Sequence, residues 1–420
     1  MITKNNNLKT KSILAALDIG SSKIACVVGK NNNQGIIEIL GYEFQSTKSV
    51  KKGLISDLST VEREIKDIVD SVAKKTNTEI SNVIVNTNIV NSKSNFLKGV
   101  TKIDNQKIDD FHIKTAINDS EIFKYDEEFE TLHKIINYFD VDKEKKINNP
   151  KNLFANLLSV YIYQILVKKN YLKSIKESLS NINLNVERFV ASPFASSLAT
   201  LINEEKDLGT ISIDLGSGTT SVSIIENNKL IFAGAIPVGS NNITYDIVSG
   251  LTTSFESAER LKTLYGSVFS NPSDEHELID VPVIGSNNDN FNQINRSNLN
   301  SFIKPRVEET LELVRQKLKE HNLHNKKYRR VVLTGGGSLL EGIDEYARII
   351  FDSQVRVGKP TKFIGIDEKI NKPQFSTVLG LLLIGNETKL EIDNLLSKED
   401  EKIEKMGVFK RFSRWLDLYI

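Results

Sequence analysis

At 420 residues the chain has room for about two to four domains of ordinary size. Its 39% hydrophobic and 26% charged residues suit a globular protein with a sizeable core. A net charge of +1 excludes a global basic field for nucleic acid, and the single cysteine, Cys26, excludes an internal disulfide framework, which fits a reducing compartment.

The opening MITKNNNLKTK has bases but no apolar core behind them, unlike a secretory signal. From Ile13, ILAALDIGSSKIACVVGKNNNQGIIEILGYEF reads as an apolar strand ending in Asp18, a Gly/Ser turn, a second strand, a polar turn and a third strand. STVEREIKDIVDSVAKKT follows with helical spacing, then the strand SNVIVNTN. Next, SNFLKGVTKIDNQKIDDFHIKTAI predicts a short strand and a helix carrying Ile108, Phe111, Ile113 and Ile117. EFETLHKIINYFDVDKEKKINNPKNL and ANLLSVYIYQILVKK alternate aromatic and β-branched residues as strands do, and YLKSIKESLSNI predicts a helix.

From Gly209, GTISIDLGSGTTSVSIIENNKLIFAGAIPVG repeats the first hairpin: Asp214 superposes on Asp18, Gly216 on Gly20, and Gly218 on Ser22. The helical pattern NITYDIVSGLTTSFESAERLKTLYG follows, as a helix does in the first half. Two equivalent lobes, each a sheet flanked by helices, are the simplest explanation. NPSDEHELIDVPVIGSNNDNFNQINRSNLNSF contains an Asn/Ser-rich surface loop. IKPRVEETLELVRQKLKEH reads as a helix with Pro305 near its start, Glu308 and Glu309 in the first turn and bases later, as the helix dipole favours. Lys304 and Arg306 then sit at its N-terminal edge. RRVVLTGGGSLLEGI predicts a strand entering Gly335, Gly336, Gly337 and Ser338, with a helix beyond. Either Ser338 caps that helix, or the glycines offer a flat backbone surface to a purine or ribose. The longest strongly apolar runs, such as VLGLLLIG (Val378–Gly385), fall well short of the ~20 residues that a spanning helix needs.

The repeated turn carries specific chemistry. Glycines and small hydroxyl residues let backbone N–H groups approach an anion and cradle phosphate oxygens. A carboxylate just before such a turn would repel phosphate, so it fits beside a divalent cation or its waters. One D-x-G-S turn alone is weak evidence, since most such matches are just tight hairpins with an Asx turn; two copies from two lobes are much stronger. Glu259 and Lys262 in SAERLK share one helical face, which locally is an i,i+3 ion pair. His112, His321 and His324 have no cysteine or acid at metal-site spacing, and His133 sits alone in a strand pattern, where a structural role is expected.

The two hairpins and the glycine turn, in this order, resemble the actin/Hsp70/sugar-kinase superfamily. Within it, KGLISDLSTVEREI, VASPFASSLATL, AERLKTLYG, VPVIG, IKPRVEETLELV, TGGGSLLEGI and FSTVLGLLLIG are similar to the bacterial cell-division FtsA family. The tail GVFKRFSRWLDLYI is similar to that family's membrane-targeting helix. The resemblance implies an α/β, actin-like two-lobe ATPase fold with duplicated sheet-and-helix lobes, an extra subdomain inserted in lobe 1, and a C-terminal amphipathic helix. The lobe 1 core is expected at 12–85, 166–205 and 366–390, and the inserted subdomain at 86–165. The lobe 2 core is expected at 206–240 and 306–365, its peripheral subdomain at 241–305, a charged linker at 391–406, and the targeting helix at 407–420.

The same resemblance implies an ATP-binding protein that polymerises on the cytoplasmic face of the inner membrane at the division site. There it anchors filaments of the tubulin-like protein FtsZ and helps recruit later division proteins. Carried onto this chain, Asp18, Gly20, Ser21, Ser22 and Lys23 form the first phosphate loop. Asp214, Gly216, Ser217, Gly218, Thr219 and Thr220 form the second, with Asp18 and Asp214 near Mg²⁺. Gly335, Gly336, Gly337 and Ser338 line the adenosine side, and Glu259 and Lys262 match positions that hold ribose and adenine. Lys304 and Arg306 fall in the region assigned to the acidic FtsZ C-terminal peptide, while the inserted subdomain is linked to filament contacts and later partners. Related ATPases use Gln or Glu to orient the attacking water. RFVASPFASSLAT has Ser192-Pro193 there, and neither is a good general base. No catalytic residue is assigned, and slow or negligible hydrolysis is expected.

As a helix, GVFKRFSRWLDLYI spans roughly 21 Å, too short to cross a ~30 Å hydrocarbon core. Val408, Phe409, Phe412, Trp415, Leu416, Tyr419 and Ile420 share one face, with Lys410, Arg411, Ser413, Arg414 and Asp417 mostly opposite. That suits an interfacial helix on anionic lipid, and the charged stretch SKEDEKIEKM before it argues against docking on the protein's own surface. Among rivals, a superfamily sugar kinase or phosphatase needs a further Asp base and leaves the tail unexplained. A chaperone-type ATPase needs a longer chain. A membrane-associated actin-like scaffold for shape or pilus assembly is nearer, but the inserted subdomain and the C-terminal helix favour the FtsA family.

Overall fold

β1 (Ile13–Ile19) is ILAALDI, apolar on both faces, and such a strand belongs inside a sheet that is covered on both sides. β2 (Lys23–Asn31) pairs with it antiparallel on one edge. After β3 (Ile37–Ser46) and α1 (Leu58–Thr76), β4 (Asn82–Thr87) pairs parallel on the other. Asp57 starts α1 by accepting a hydrogen bond from the Thr60 N–H, and Val61, Ile65, Ile68, Val69 and Val72 form its buried stripe. The computed structural model describes residues 13–32, 36–120, 127–283, 291–323 and 328–386. The charged linker and the targeting helix expected at 391–406 and 407–420 therefore lie outside the described residues.

Residues 92–169 form a compact unit of their own, and 13–91 with 170–386 form another. In the smaller unit, β5 (Lys93–Lys107), α2 (Asp110–Asp119), β6 (Phe129–Val141), β7 (Glu144–Ile147) and β8 (Phe154–Lys168) build a sheet ordered β5-β8-β6-β7. α2 closes one face, with Ala116 and Ile117 in a core shared with Leu97, Phe139, Val160 and Ile162. The strand expected to be short is fifteen residues long, because β8 pairs with it along nearly its whole length. Ile108 precedes the helix instead of lying in it, and Phe111 points to solvent.

The larger unit resumes with α3 (Lys169–Asn181), β9 (Asn185–Ala191) and α4 (Ser192–Thr200). Its first sheet is ordered β9-β4-β1-β2-β3, with the short strand Phe363–Ile364 at the edge. β10 (Thr210–Leu215), β11 (Thr220–Glu226) and β12 (Lys229–Ile236) then repeat β1 to β3. Asp18 pairs with Ala25 and Asp214 with Ser221, the same offset in both hairpins.

The helical pattern after the second hairpin is two helices, α5 (Ser240–Leu251) and α6 (Phe255–Tyr265). Thr252 turns left-handed at φ 51°, and Ser254 caps α6 by accepting from the Ser257 N–H. The polar stretch that follows contains two paired strands, β13 (Leu278–Pro282) and β14 (Phe291–Asn295).

α7 runs from Arg296 to Glu320, so Pro305 is inside the helix, not near its start. Leu299, Ile303, Val307, Leu311, Val314 and Leu318 make one buried stripe straight through it. Each such side chain contributes about 1.5–3 kcal/mol, and the six together outweigh the ~3 kcal/mol an interior proline costs. Lys304 and Arg306 are consequently mid-helix, and Glu308 and Glu309 are not in the first turn.

β15 (Arg330–Thr334) pairs parallel with β10, completing a second sheet of order β12-β11-β10-β15-β16 with α8 (Ile343–Phe351) and β16 (Gln354–Val357). The helix expected directly after the glycines begins only at Ile343. Gly336–Leu339 forms a 3₁₀ turn, and the Ser338 hydroxyl donates to the Gly335 carbonyl (2.7 Å) instead of capping. Finally α9 (Ser376–Asn386) packs on β1, β2 and β4 and against α4, which itself packs on β10 to β12.

Candidate functional site

Both Asp-Gly turns open on one cleft of about 500 Å³. Asp18, Gly20, Ser21, Ser22 and Lys23 line it from the first turn, and Asp214, Gly216, Ser217, Gly218 and Thr219 from the second. Glu259 and Lys262 of α6 reach the same space, as do Gly335, Gly336 and Gly337. Thr220 and Ser338 do not line it: Thr220 borders a smaller cavity beside Val307 and Leu311, and Ser338 is buried beneath the glycine turn.

The first turn closes on itself, with the Gly20 N–H donating to the Lys23 carbonyl (3.0 Å). The two turns also touch, since a Cβ on Gly218 would lie 2.5 Å from Ser21 Oγ. Gly335 has φ 80°, and a Cβ there would meet Asp214 Oδ1 at 2.3 Å, so this position needs glycine twice over.

The charges are unevenly balanced. Asp18 is 6% exposed, and burial pushes its carboxyl up to about 6; Lys23 opposes that rise and Asp214 adds to it. Burial raises Asp214 too, but hydrogen bonds from Thr377 (3.1 Å) and Ser196 pull it back, helped by Lys23. The Lys23 ammonium donates to the Gln374 carbonyl (2.5 Å). Lys262 is largely buried, which lowers its pKa against the pull of Glu259 at 2.6 Å, and it also bonds Thr244 Oγ1 (2.8 Å) and the Ser240 carbonyl (3.2 Å). The Glu259–Lys262 pair is thus built into the cleft wall, not a free surface pair.

Sequence reasoning missed Asn86 and Asn88, which also line the cleft. Asn86 Oδ1 accepts from the Ile19 N–H (2.7 Å), and its Nδ2 donates to Ser192 Oγ (3.3 Å). Ser192 in turn donates to the Thr87 carbonyl (3.2 Å). The polar NTN closing an otherwise apolar strand was the available signal. Gln374 and Thr377 gave none.

Away from the cleft, Arg306 grips Asp246 with two nitrogens (2.6 and 2.9 Å) and also pairs with Glu309, which holds the guanidinium more firmly protonated. Lys304 is exposed, 5.9 Å from the Tyr346 ring centre. Val408, Phe409, Lys410, Arg411, Phe412, Arg414, Trp415 and Leu416 lie outside the described residues.

Duplicated lobes around a shared cleft, with a domain inserted in the first, define an actin-like protein. Solved structures share this fold. A chain of the PilM–PilN type IV pilus biogenesis complex superposes with a TM-score of 0.62 at 16% identity, covering 89% of this chain and 98% of that one. MreB5 of Spiroplasma citri, solved bound to ADP, gives 0.54 at 14% identity, covering 89% and 95%.

Sequence comparison is more specific. Residues 211–380 match the family profile "Cell division protein FtsA", and 90–166 match "SHS2 domain inserted in FTSA". The cell division protein FtsA of Rhizobium meliloti is 31% identical over 419 residues, covering 97% of this chain and 95% of that protein. That of Escherichia coli K12 is 25% identical over 416 residues, covering 97% and 98%. The chain belongs to the FtsA family of bacterial cell-division proteins.

Proposed function

We propose that this chain binds Mg²⁺–ATP in the cleft, polymerises, and anchors FtsZ filaments to the cytoplasmic face of the inner membrane. The observation that carries the reading is the pair of glycine turns in contact across one cleft, each preceded by a carboxylate that lines it, Asp18 buried and Asp214 partly exposed. Their N–H groups cradle the phosphates. Asp18 and Asp214 suit Mg²⁺, an ion usually held by one or two carboxylates plus phosphate oxygens and water. Bound there, it neutralises phosphate charge. The glycines from Gly335 to Gly337, with Glu259 and Lys262, bound the adenosine side. Ser192 already donates its proton to a carbonyl, which supports slow hydrolysis with ATP acting as a glue between lobes. A turnover above ~1 s⁻¹ would contradict that.

Lys304 and Arg306 are proposed to meet the acidic FtsZ C-terminal peptide. Because Arg306 is committed to Asp246, Lys304 is the more available charge. The targeting helix brings three bases, worth ~1 kcal/mol each at an anionic surface. Ordering its residues costs ~1 kcal/mol or more apiece. One copy therefore binds weakly and a polymer binds by avidity. No described helix is long and apolar enough to cross a membrane.

The test uses the full chain with Mg²⁺–ATP on anionic liposomes. Filaments that retain an FtsZ tail peptide are expected, with release by Trp415→Glu. A strictly monomeric variant that bound liposomes as tightly as the polymer would overturn the avidity reading.

A further inference from the structure

Three residues outside the expected turn motifs meet beside the cleft. Gly53, in the KKG turn, has φ 74°, and a Cβ there would lie 1.8 Å from Asn88 Nδ2, so only glycine lets the Asn88 side chain lie against it. The Tyr171 hydroxyl donates to the Gly53 carbonyl (3.1 Å) and accepts from the Asn88 backbone N–H. Two of the three also reach a turn. The Gly53 N–H donates to Ser21 Oγ (2.9 Å), and Asn88 Nδ2 donates to Thr219 Oγ1 (3.4 Å). Tyr171 does not itself line the cleft.

Their places in the chain give the junction its meaning. Asn88 follows β4 just before the chain leaves the larger unit at Asn91, and Tyr171 comes just after it returns at Asn170. Both covalent connections to residues 92–169 are thus pinned, at or next to their ends, to the two turns.

We propose that the Gly53–Asn88–Tyr171 junction is a relay that couples the phosphate state of the cleft to the conformation of both connections to residues 92–169. The proposal rests on the ATP reading above. Ser21 and Thr219 hydroxyls now hold Gly53 and Asn88. Each hydroxyl accepts from its partner and keeps its own proton to donate, so a terminal phosphate that takes that hydrogen bond draws the oxygen towards itself and away from the N–H it holds. The displacement passes through Gly53 to Tyr171 and through Asn88 directly. A ligand shifts such an equilibrium only by its differential interaction with the two states, so the group that distinguishes ATP from ADP is the one that is read.

Tyr171→Phe removes the hydroxyl and keeps the ring, which makes it the discriminating variant. Amide hydrogen exchange of the full chain is compared under Mg²⁺–ATP and Mg²⁺–ADP. The wild type is expected to differ ~3-fold or more between the two nucleotides at residues 89–93 and 168–172, and the variant to lose most of that difference. Its ATP affinity, from titration with a fluorescent ATP analogue, stays within ~2-fold, as for a neutral hydrogen bond remote from ligand. A full exchange difference in Tyr171→Phe overturns the relay. So does a wild type that binds both nucleotides yet exchanges identically, and this second arm decides alone if the variant folds poorly. A wild type that binds no ATP overturns the cleft reading as well, so the two failures are distinct.

Discussion

In the first turn Asp18 is buried near Lys23, and no side-chain donor among the described residues reaches it. In the second turn Asp214 occupies the same register but accepts from Thr377 of α9 and Ser196 of α4. The backbone is duplicated and the electrostatic setting is not. The difference arises where α4 and α9, which have no counterpart inside either hairpin, bring hydroxyls to one carboxylate only. A repeated motif therefore sets where each carboxylate and its glycine turn sit. The surrounding helices set how readily each carboxylate gives up its proton.

The sharpest way to break the equivalence is steric. Lobe 2 has Gly218 where lobe 1 has Ser22, and Gly218 faces Ser21. Gly218→Ser should lower ATP affinity ~10–100-fold as the turns are forced apart. Ser22→Gly should change it by less than ~3-fold. Titration with a fluorescent ATP analogue checks both, and equal losses would mean that the turns are interchangeable after all.

Charge removal comes next. In chelator without nucleotide at pH 7.5, Asp18→Asn should raise unfolding stability by about 1–3 kcal/mol, because it deletes a buried charge. Asp214→Asn should gain less, since its donors already compensate. Denaturant unfolding would reverse the ranking of the two sites if Asp214→Asn gained more.

A pH series sharpens the same point. The Asp18 carboxyl titrates near 6 in the folded chain against an ordinary value near 3.8. Between these values the folded state binds more protons than the unfolded one, so stability falls as pH rises. The favourable contribution is full below about pH 4 and gone above about pH 6. The stability gap between Asp18→Asn and wild type should therefore open across that window, and a gap constant with pH would refute the assignment.

The smallest effect belongs to Thr377→Val. Loss of its hydrogen bond to Asp214 should destabilise the ion-free protein by ~0.5–1.5 kcal/mol at pH 7.5. It should also make Asp214→Asn more stabilising than in the wild-type background, which a double-mutant cycle measures.

The duplicated hairpins were legible in the amino-acid sequence because each is locally complete. In each the strand runs apolar to its aspartate and a glycine turn follows directly, closed in the first hairpin by a bond inside itself. Gly53, Asn88 and Tyr171 were not legible as a group. KKG, NTN and a tyrosine in a helix are ordinary local features, and they meet only through contacts between distant parts of the chain. Pro305 shows the same limit from the other side. Local rules place a proline near a helix start, but the buried stripe from Leu299 to Leu318 carries α7 through it.

By itself, then, the sequence determined two lobes, their paired glycine turns and the family to which the chain belongs, because alternation, glycine and a preceding carboxylate act over a few residues. Only the tertiary structure decided which carboxylate is hard to ionise, which arginine is already committed, and how the turns meet Gly53, Asn88 and Tyr171. Those outcomes depend on burial and on donors supplied from far along the chain, and neither is written in any single segment.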